Sequence, residues 1–417
     1  MSGTFSFVHA ADIHLDSPLA GLGKKNDEFA KLVRGATRRA FTNVVDLAIE
    51  EGVNFVVIAG DLYDGTWKDH ATGQFAVSQF ARLARAGIRS FVIYGNHDAE
   101  SRVTRHLSLP EGVHAFGNRQ CETVDLADLG VAIHGRSYKE AATFENIAST
   151  YCPPTPGRFN ISLLHTALEG HASHAAYAPC TVGELVASAH DYWALGHVHE
   201  PKIHNEGPHI VYPGNTQGRS IREIGTKGAM LVRVADGIVR SVEPHACDEA
   251  RWARLDVDAS GATDTTELLG GLAGAFEGEI SRADGRPLAA RLNVRLPAEL
   301  ASRLSADRAW FETEVQNQAS ILGDGMWIEK VSIEATSDGQ LVGLPPELAE
   351  LFEAALEDPD CMRMVQEAAA PLLLKLPVDA IDGEIAPLVA AAKAQNGTAL
   401  VAAARAAVAA KLDFTAD

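Results

Sequence analysis

Asp12 and His14, Gly60 and Asp61, Asn96 and His97, a solitary His165, then His197 and His199: metal-binding residue types recur at five places, each closing a short apolar run. Imidazole, amide and carboxylate donors without sulfur suit Mn²⁺, Fe²⁺ or Zn²⁺ better than Mg²⁺. Polar groups are buried only where something pairs with them, so endings of this kind ask for a charged partner. Each one alone has an ordinary explanation. Gly95-Asn96 is common turn chemistry, and a lone histidine at a strand end is more often structural. All five in order, each at a predicted strand end, point instead to one metal site. A spacing of two turns Asp12 and His14 the same way, and likewise His197 and His199, so two ligands from one strand end converge on one centre.

The runs that position these residues are 5-FSFVHAAD-12, 55-FVVIAGD-61, 90-SFVIYGNHD-98, 161-ISLLHT-166 and 192-YWALGHVH-199. Near-continuous apolar character is the mark of strands covered on both faces. Between the first two, Phe29, Leu32, Val33, Ala36, Ala40, Phe41, Val44, Val45 and Ala48 predict a helix over 28–50, with Lys31, Arg34, Arg38 and Arg39 largely off the stripe. Phe75, Phe80, Leu83 and Ala84 predict a second. Strand and helix alternate, so the class is α/β, with ligands outside the carboxyl ends of the strands. Runs at 209–214 and 228–234 read as antiparallel strands closing a second sheet, giving a four-layer αββα sandwich over residues 1–245. Strand-like runs at 252–259, 289–296 and 327–335 flank a helical stretch at 265–277, which reads as a small α+β domain over 246–340. Residues 341–417, ending in the Ala-rich VAAARAAVAAKL, read as a helical C-terminal region.

A chain of 417 residues exceeds the size one core usually serves, so two or three domains are expected. No apolar stretch approaches the ~20 residues that span a bilayer, and the start MSGTFSFVHAAD lacks the features of a secretory signal, which argues for a cytoplasmic protein without a membrane partner. Cys121, Cys152, Cys180, Cys247 and Cys361 are odd in number and scattered, which argues against a disulfide framework or a thiolate zinc site. With 36 basic against 55 acidic residues, the net charge of −19 opposes non-specific attraction to nucleic acid. Any nucleic-acid contact must then be local or shared with a partner.

The ordered set DIH, GDLYD, GNHD, the single His of LLHT, and GHVH resembles the calcineurin-like metallophosphoesterases over residues 5 to about 234. Within that family, HAADIHLDSPLAGL at 9–22, HASHAAYAPC at 171–180, DYWALGHVH at 191–199 and YPGNTQGRSIRE at 212–223 resemble the SbcD-type DNA repair exonucleases, most closely their bacterial YhaO-like branch. The resemblance implies two divalent ions, with Mn²⁺ favoured: one on Asp12, His14, Asp61 and His199, the other on Asp61, Asn96, His165 and His197. Asp61 is shared. It further implies in-line attack by a water bridging the ions, while His97, not needed as a ligand, assists the leaving group. Asp98 would orient the His97 ring, unless a partner from elsewhere does. Where some relatives carry a second active-site histidine, this chain has Asp64, which reads either as an acceptor for a ligating histidine or as a strand-end cap.

Arg219 and Arg222 are candidate phosphate contacts, with a solvated turn as the other reading, and His174, with His171, is a candidate substrate contact, with loop packing as the other. The implied activity is a metal-dependent phosphodiesterase, an exonuclease or endonuclease in DNA repair with DNA as its partner. Residues 246–340 would cap it, 341–417 would dock an SMC-like coiled-coil ATPase, and a homodimer is a further expectation. Two alternatives stand beside this reading. One is a metallophosphoesterase acting on small nucleotide-type diesters or phosphoproteins, which the acidic balance suits somewhat better. The other is a non-catalytic scaffold of a repair complex, against which the presence of every ligand position and His97 counts.

Overall fold

Side chains of the first three strands alternate between two apolar environments, and that alternation builds the layers. The computed structural model describes residues 3–19, 29, 31, 33–65, 70–100, 108–169, 177–323 and 325–336, with isolated positions between 358 and 367. The expected docking segment at 341–417 lies outside them but for those positions, and His171 and His174 also lie outside. In β1 (Phe5–Ala10), β2 (Phe55–Ala59) and β3 (Arg89–Ile93), Val8, Ala10, Val56, Ile58 and Val92 form one core. They share it with Phe41, Val44 and Val45 of α1 (Ala36–Glu50) and Ala76, Phe80 and Leu83 of α2 (His70–Arg85). Phe5, Phe7, Phe55, Val57, Phe91 and Ile93 belong to a second core. There they join residues such as Ile133, Ile161, Leu163, Tyr192 and Ala194 from β6 (Val131–Gly135), β7 (Phe159–His165) and β8 (Tyr192–Gly196). Phe7 stacks on Phe55 at 5.1 Å between centroids and meets Tyr192 edge-on at 5.2 Å.

Two six-stranded sheets result. The first includes β4 (Val113–Ala115), β11 (Gly228–Ala235) and β12 (Ile238–Ala246), in the order β12-β11-β1-β2-β3-β4. The second includes β5 (Glu122–Leu126), β9 (Lys202–Glu206) and β10 (His209–Tyr212), in the order β5-β6-β7-β8-β10-β9. β1, β2 and β3 run parallel, as do β6, β7 and β8, so each sheet sends several carboxyl ends to one edge. Beyond the second sheet, Leu164, Trp193, Leu195, Ile210 and Tyr212 pack with Leu185 of the short helix α4 (Val182–Ala187), completing four layers.

Two expectations are corrected. The run at 228–234 does not close the second sheet: β11 pairs antiparallel with β1, Phe7 opposite Val232, while β10 lies parallel to β8. β11 is apolar on both faces, with Ala229 and Leu231 in the helix-side core and Met230 and Val232 in the inter-sheet core. A position beside β1 covers both. The helix expected over 28–50 is interrupted by a turn at 33–35, where Gly35 takes φ 73°, and α1 begins only at Ala36.

A third sheet, β13-β14-β15, is formed by Arg251–Asp258, Leu288–Leu296 and Met326–Ala335, with α5 (Thr265–Ala283), α6 (Ala298–Ala306) and α7 (Arg308–Leu322) between its strands. The described residues fall into two compact units, one of residues up to 253 with 280–289 and 325–329, the other of 254–279, 290–324 and those from 330. Among the described residues no helix is long and apolar enough to cross a membrane.

Candidate metal centre

The candidate ligands sit just where the parallel strands stop. β1 ends at Ala10 and β2 at Ala59, two residues before Asp12 and Asp61; β7 ends on His165 and β8 one residue before His197. Asp12, His14, Asp61 and His197 take φ of 50°, 45°, 50° and 99°. Non-glycine residues held there cost about 1–3 kcal/mol each and persist only where the surroundings enforce them. Here the enforcement is explicit. Asp12 N–H donates to Gly60 O (3.1 Å), His14 N–H to Asp61 O (3.0 Å) and Leu15 N–H to Leu62 O (3.0 Å), zipping the two loops together. A Cβ at Gly95 would overlap Asp61 Oδ1 and His165 Nε2, and one at Gly196 would overlap Ala59 O and His165 Nδ1. Glycine is what lets the strand ends close to this spacing.

Asp61 Oδ2 lies 3.4 Å from His165 Nε2 and 3.9 Å from His14 Nε2. His14 Nε2 is 3.3 Å from His199 Nε2, and Asp12 Oδ1 is 3.7 Å from the latter. Asn96 Oδ1 lies 3.0 Å from His165 Nε2. The His197 ring stands 5.2 Å from that of His165, and His197 N–H donates to Asp12 Oδ2 at 2.9 Å. The structure therefore brings all seven candidate ligands together. Three trios, Asp12–His14–His199, Asp12–Asp61–His165 and His14–Asp64–His97, each offer donor atoms close enough to hold one ion.

The outer nitrogens of the imidazoles explain their inward aim. His165 Nδ1 donates to Ala59 O (2.9 Å), which can only accept, and His199 Nδ1 faces Glu223 Oε1 at 2.7 Å. His14 Nδ1 faces Asp64 Oδ1 at 3.3 Å. With protons on those atoms, the Nε2 lone pairs of His14 and His199 oppose each other across 3.3 Å, an arrangement that a shared cation relieves. The donors present thus fit divalent metal.

Electrostatics agree. Burial pushes the Asp12 carboxyl up. Burial would raise Asp61 too, but the imidazole of His165, with those of His14 and His97, holds it well below the usual carboxylate range. Burial, with Arg219 nearby, pushes His14 down to about 3, so its ring is neutral. Burial would also lower His165, yet Asp61 lifts it to about 9, so a cation arriving there replaces a proton.

His97 stands apart from the buried set. It is the second residue of the short helix α3 (Asn96–Glu100), its side chain is 39% exposed, and its Nδ1 lies 3.3 Å from Asp64 Oδ1. The orienting role expected of Asp98 is corrected here. Asp98 is buried and its carboxylate accepts from the backbone N–H groups of Leu62 (3.2 Å), Tyr63 (2.8 Å) and Gly95 (2.9 Å), so it braces the loops. Asp64 lies beside both His14 and His97; burial would raise its carboxyl, but the His14 imidazole, with Arg219 and Ser17, holds it down at about 2.

Arg219 and Arg222 separate. Arg219 turns inward, donating to Glu223 Oε1 (3.0 Å) and standing 3.6 Å from Asp64 Oδ1, whereas Arg222 is exposed outside the cluster. Sequence reasoning missed Glu223, whose carboxylate also accepts from Asn215 Nδ2 (3.0 Å), and Tyr138, whose hydroxyl donates to His165 O (2.7 Å). It missed the buried Lys227 as well, which donates to His199 O (2.9 Å). The Arg219/Glu223 pair at a spacing of four was the one available hint, and it did not identify His199.

Residues 5–201 match the calcineurin-like phosphoesterase family, and residues 252–336 match the middle domain of metallophosphoesterase YhaO. The sequence is 33% identical over 354 residues to the uncharacterized metallophosphoesterase YhaO of Bacillus subtilis, covering 84% of this chain and 86% of that one. It is 27% identical to the DNA double-strand break repair protein Mre11 of Archaeoglobus fulgidus, over 56% of this chain and 54% of the relative. Against the Mre11 of Aeropyrum pernix the figures are 28%, 60% and 63%.

Proposed function

Because this chain belongs to the calcineurin-like metallophosphoesterases, hydrolases of phosphoesters with a dinuclear divalent metal site, we propose that it is a Mn²⁺-dependent phosphodiesterase that cleaves DNA. The observation that carries the dinuclear reading is Asp61 Oδ2, one carboxylate oxygen placed between His14 Nε2 (3.9 Å) and His165 Nε2 (3.4 Å). Asp12, His14, Asp61 and His199 would hold one ion; Asp61, Asn96, His165 and His197 would hold the other. Bound there, the pair would supply Lewis-acid activation of the phosphoester and of a water. His97, exposed beside the cluster with Nδ1 toward Asp64, delivers a proton to the leaving oxygen through its other nitrogen. Asp64 fixes the ring.

The DNA substrate is supported by the relatives named for DNA double-strand break repair. With it go a role in repair in the cytoplasm, a capping role for 246–340, docking of an SMC-like ATPase by 341–417, and a homodimer. The net charge of −19 favours the second reading, a small nucleotide-type diester or a phosphoprotein as substrate. One assay separates them: hydrolysis of single- and double-stranded oligonucleotides, cyclic nucleotides and phosphopeptides with Mn²⁺, Mg²⁺ or Zn²⁺. The expected result is Mn²⁺-dependent cleavage of DNA. Turnover of small diesters or phosphopeptides with none of DNA selects the second reading.

A further inference from the structure

Resting on the phosphodiesterase reading above, we infer that the rings of Tyr177 and Phe144 form a stacking shelf for the nucleobase next to the scissile phosphodiester. Rings run outward from the centre in sequence: His165 to His197 at 5.2 Å, His197 to Tyr177 at 5.8 Å, Tyr177 to Phe144 at 5.6 Å. The inner members are candidate metal ligands. The outermost, Phe144, is 69% exposed. A scattered exposed phenylalanine needs no explanation, but this one ends a row of rings that starts at a phosphoester site.

The shelf is held in place by backbone. Ala167 N–H donates to Tyr177 O (2.9 Å), the Thr166 hydroxyl to Ala178 O (2.7 Å), and Ala178 N–H to Thr143 O (2.7 Å). Thr166 and Ala167 directly follow His165, so the shelf is tied to the strand end that carries a candidate ligand. The backbone that carries both rings is therefore positioned before any substrate arrives. Every nucleobase has a π face, and stacking needs no hydrogen-bond match, so such a shelf favours base-bearing phosphodiesters without reading sequence. A phosphoserine peptide brings no such face.

The test uses the full chain with Mn²⁺ and two matched pairs of probes. One pair is a single-stranded oligodeoxynucleotide and its abasic counterpart; the other is thymidine 5′-(methyl phosphate) and the same ester lacking the base. Hydrolysis is read as kcat/KM, and binding as Kd in the His97→Ala background. The base-bearing probe is expected to be favoured about tenfold. Phe144→Ala should erase that preference and Phe144→Trp retain it, both with unchanged thermal melts. Preference confined to the oligonucleotides assigns the shelf to strands; preference in the thymidine pair as well assigns it to nucleotides generally. A wild type without base preference, or Phe144→Ala keeping it, overturns the shelf. A base preference in Kd with no hydrolysis of either pair keeps the shelf and removes the phosphodiesterase reading, while hydrolysis without preference does the reverse.

Discussion

The seam between the two sheets and the cluster at their strand ends are built from the same strands and are buried to nearly the same degree, with opposite chemistry. Phe7 and Phe55 stack in the seam; a few residues on, Asp12 and Asp61 are equally inaccessible but charged or polar and held at positive φ. The transition passes through His9, which meets the Tyr192 hydroxyl and Leu195 O, each at 3.1 Å, and which burial pushes down to about 3 so that it stays neutral. Apolar burial stabilises the fold; strain and desolvation at the strand ends oppose it. Stability and chemistry therefore reside in different halves of each strand, and substitutions should separate them.

The sharpest break is Asp61→Ala, which removes the oxygen shared by both imidazole sets. Turnover should vanish and metal content fall below two ions per chain by elemental analysis, with the melting temperature little changed. His97→Ala comes next, with kcat lower by about 10²–10⁴-fold and both ions retained. Loss of metal in proportion to turnover would instead make His97 a ligand. In the seam, Phe7→Ala should cost about 3–5 kcal/mol in denaturant unfolding while the folded protein binds metal as before. The mildest is Glu223→Ala, which frees the His199 ring and should weaken metal binding about 10- to 100-fold by calorimetry. If Phe7→Ala and Glu223→Ala weakened metal equally, the two regions would not be separate.

What could be read in advance follows the same division. The candidate ligands were visible because each interrupts an apolar run, a signal local to a few residues. The strands β4 and β5 left no comparable mark: β4 has three residues, all half-buried, and β5 alternates between half-buried and exposed positions up to the buried Leu126. Asp64 as an acceptor for a ligating histidine is one of the two readings the sequence offers, and it faces His14; the other partners of the imidazoles were hidden for a different reason. Asp64 meets His97, and Glu223 meets His199, only after separate loops converge, and no periodicity records such a meeting. Asp98 misled because it adjoins His97 in sequence, whereas its carboxylate is turned onto three backbone N–H groups.

That carboxylate has a consequence for how ions are taken up. By tying Leu62, Tyr63 and Gly95 to one anchor, Asp98 links the loops bearing Asp61 and Asn96 through the protein's own hydrogen bonds. Loading is then the filling of a vessel already shaped. Amide hydrogens at Leu62 and Tyr63 should exchange as slowly in chelator-treated protein as in the metallated form, and Asp98→Ala should make their protection depend on metal.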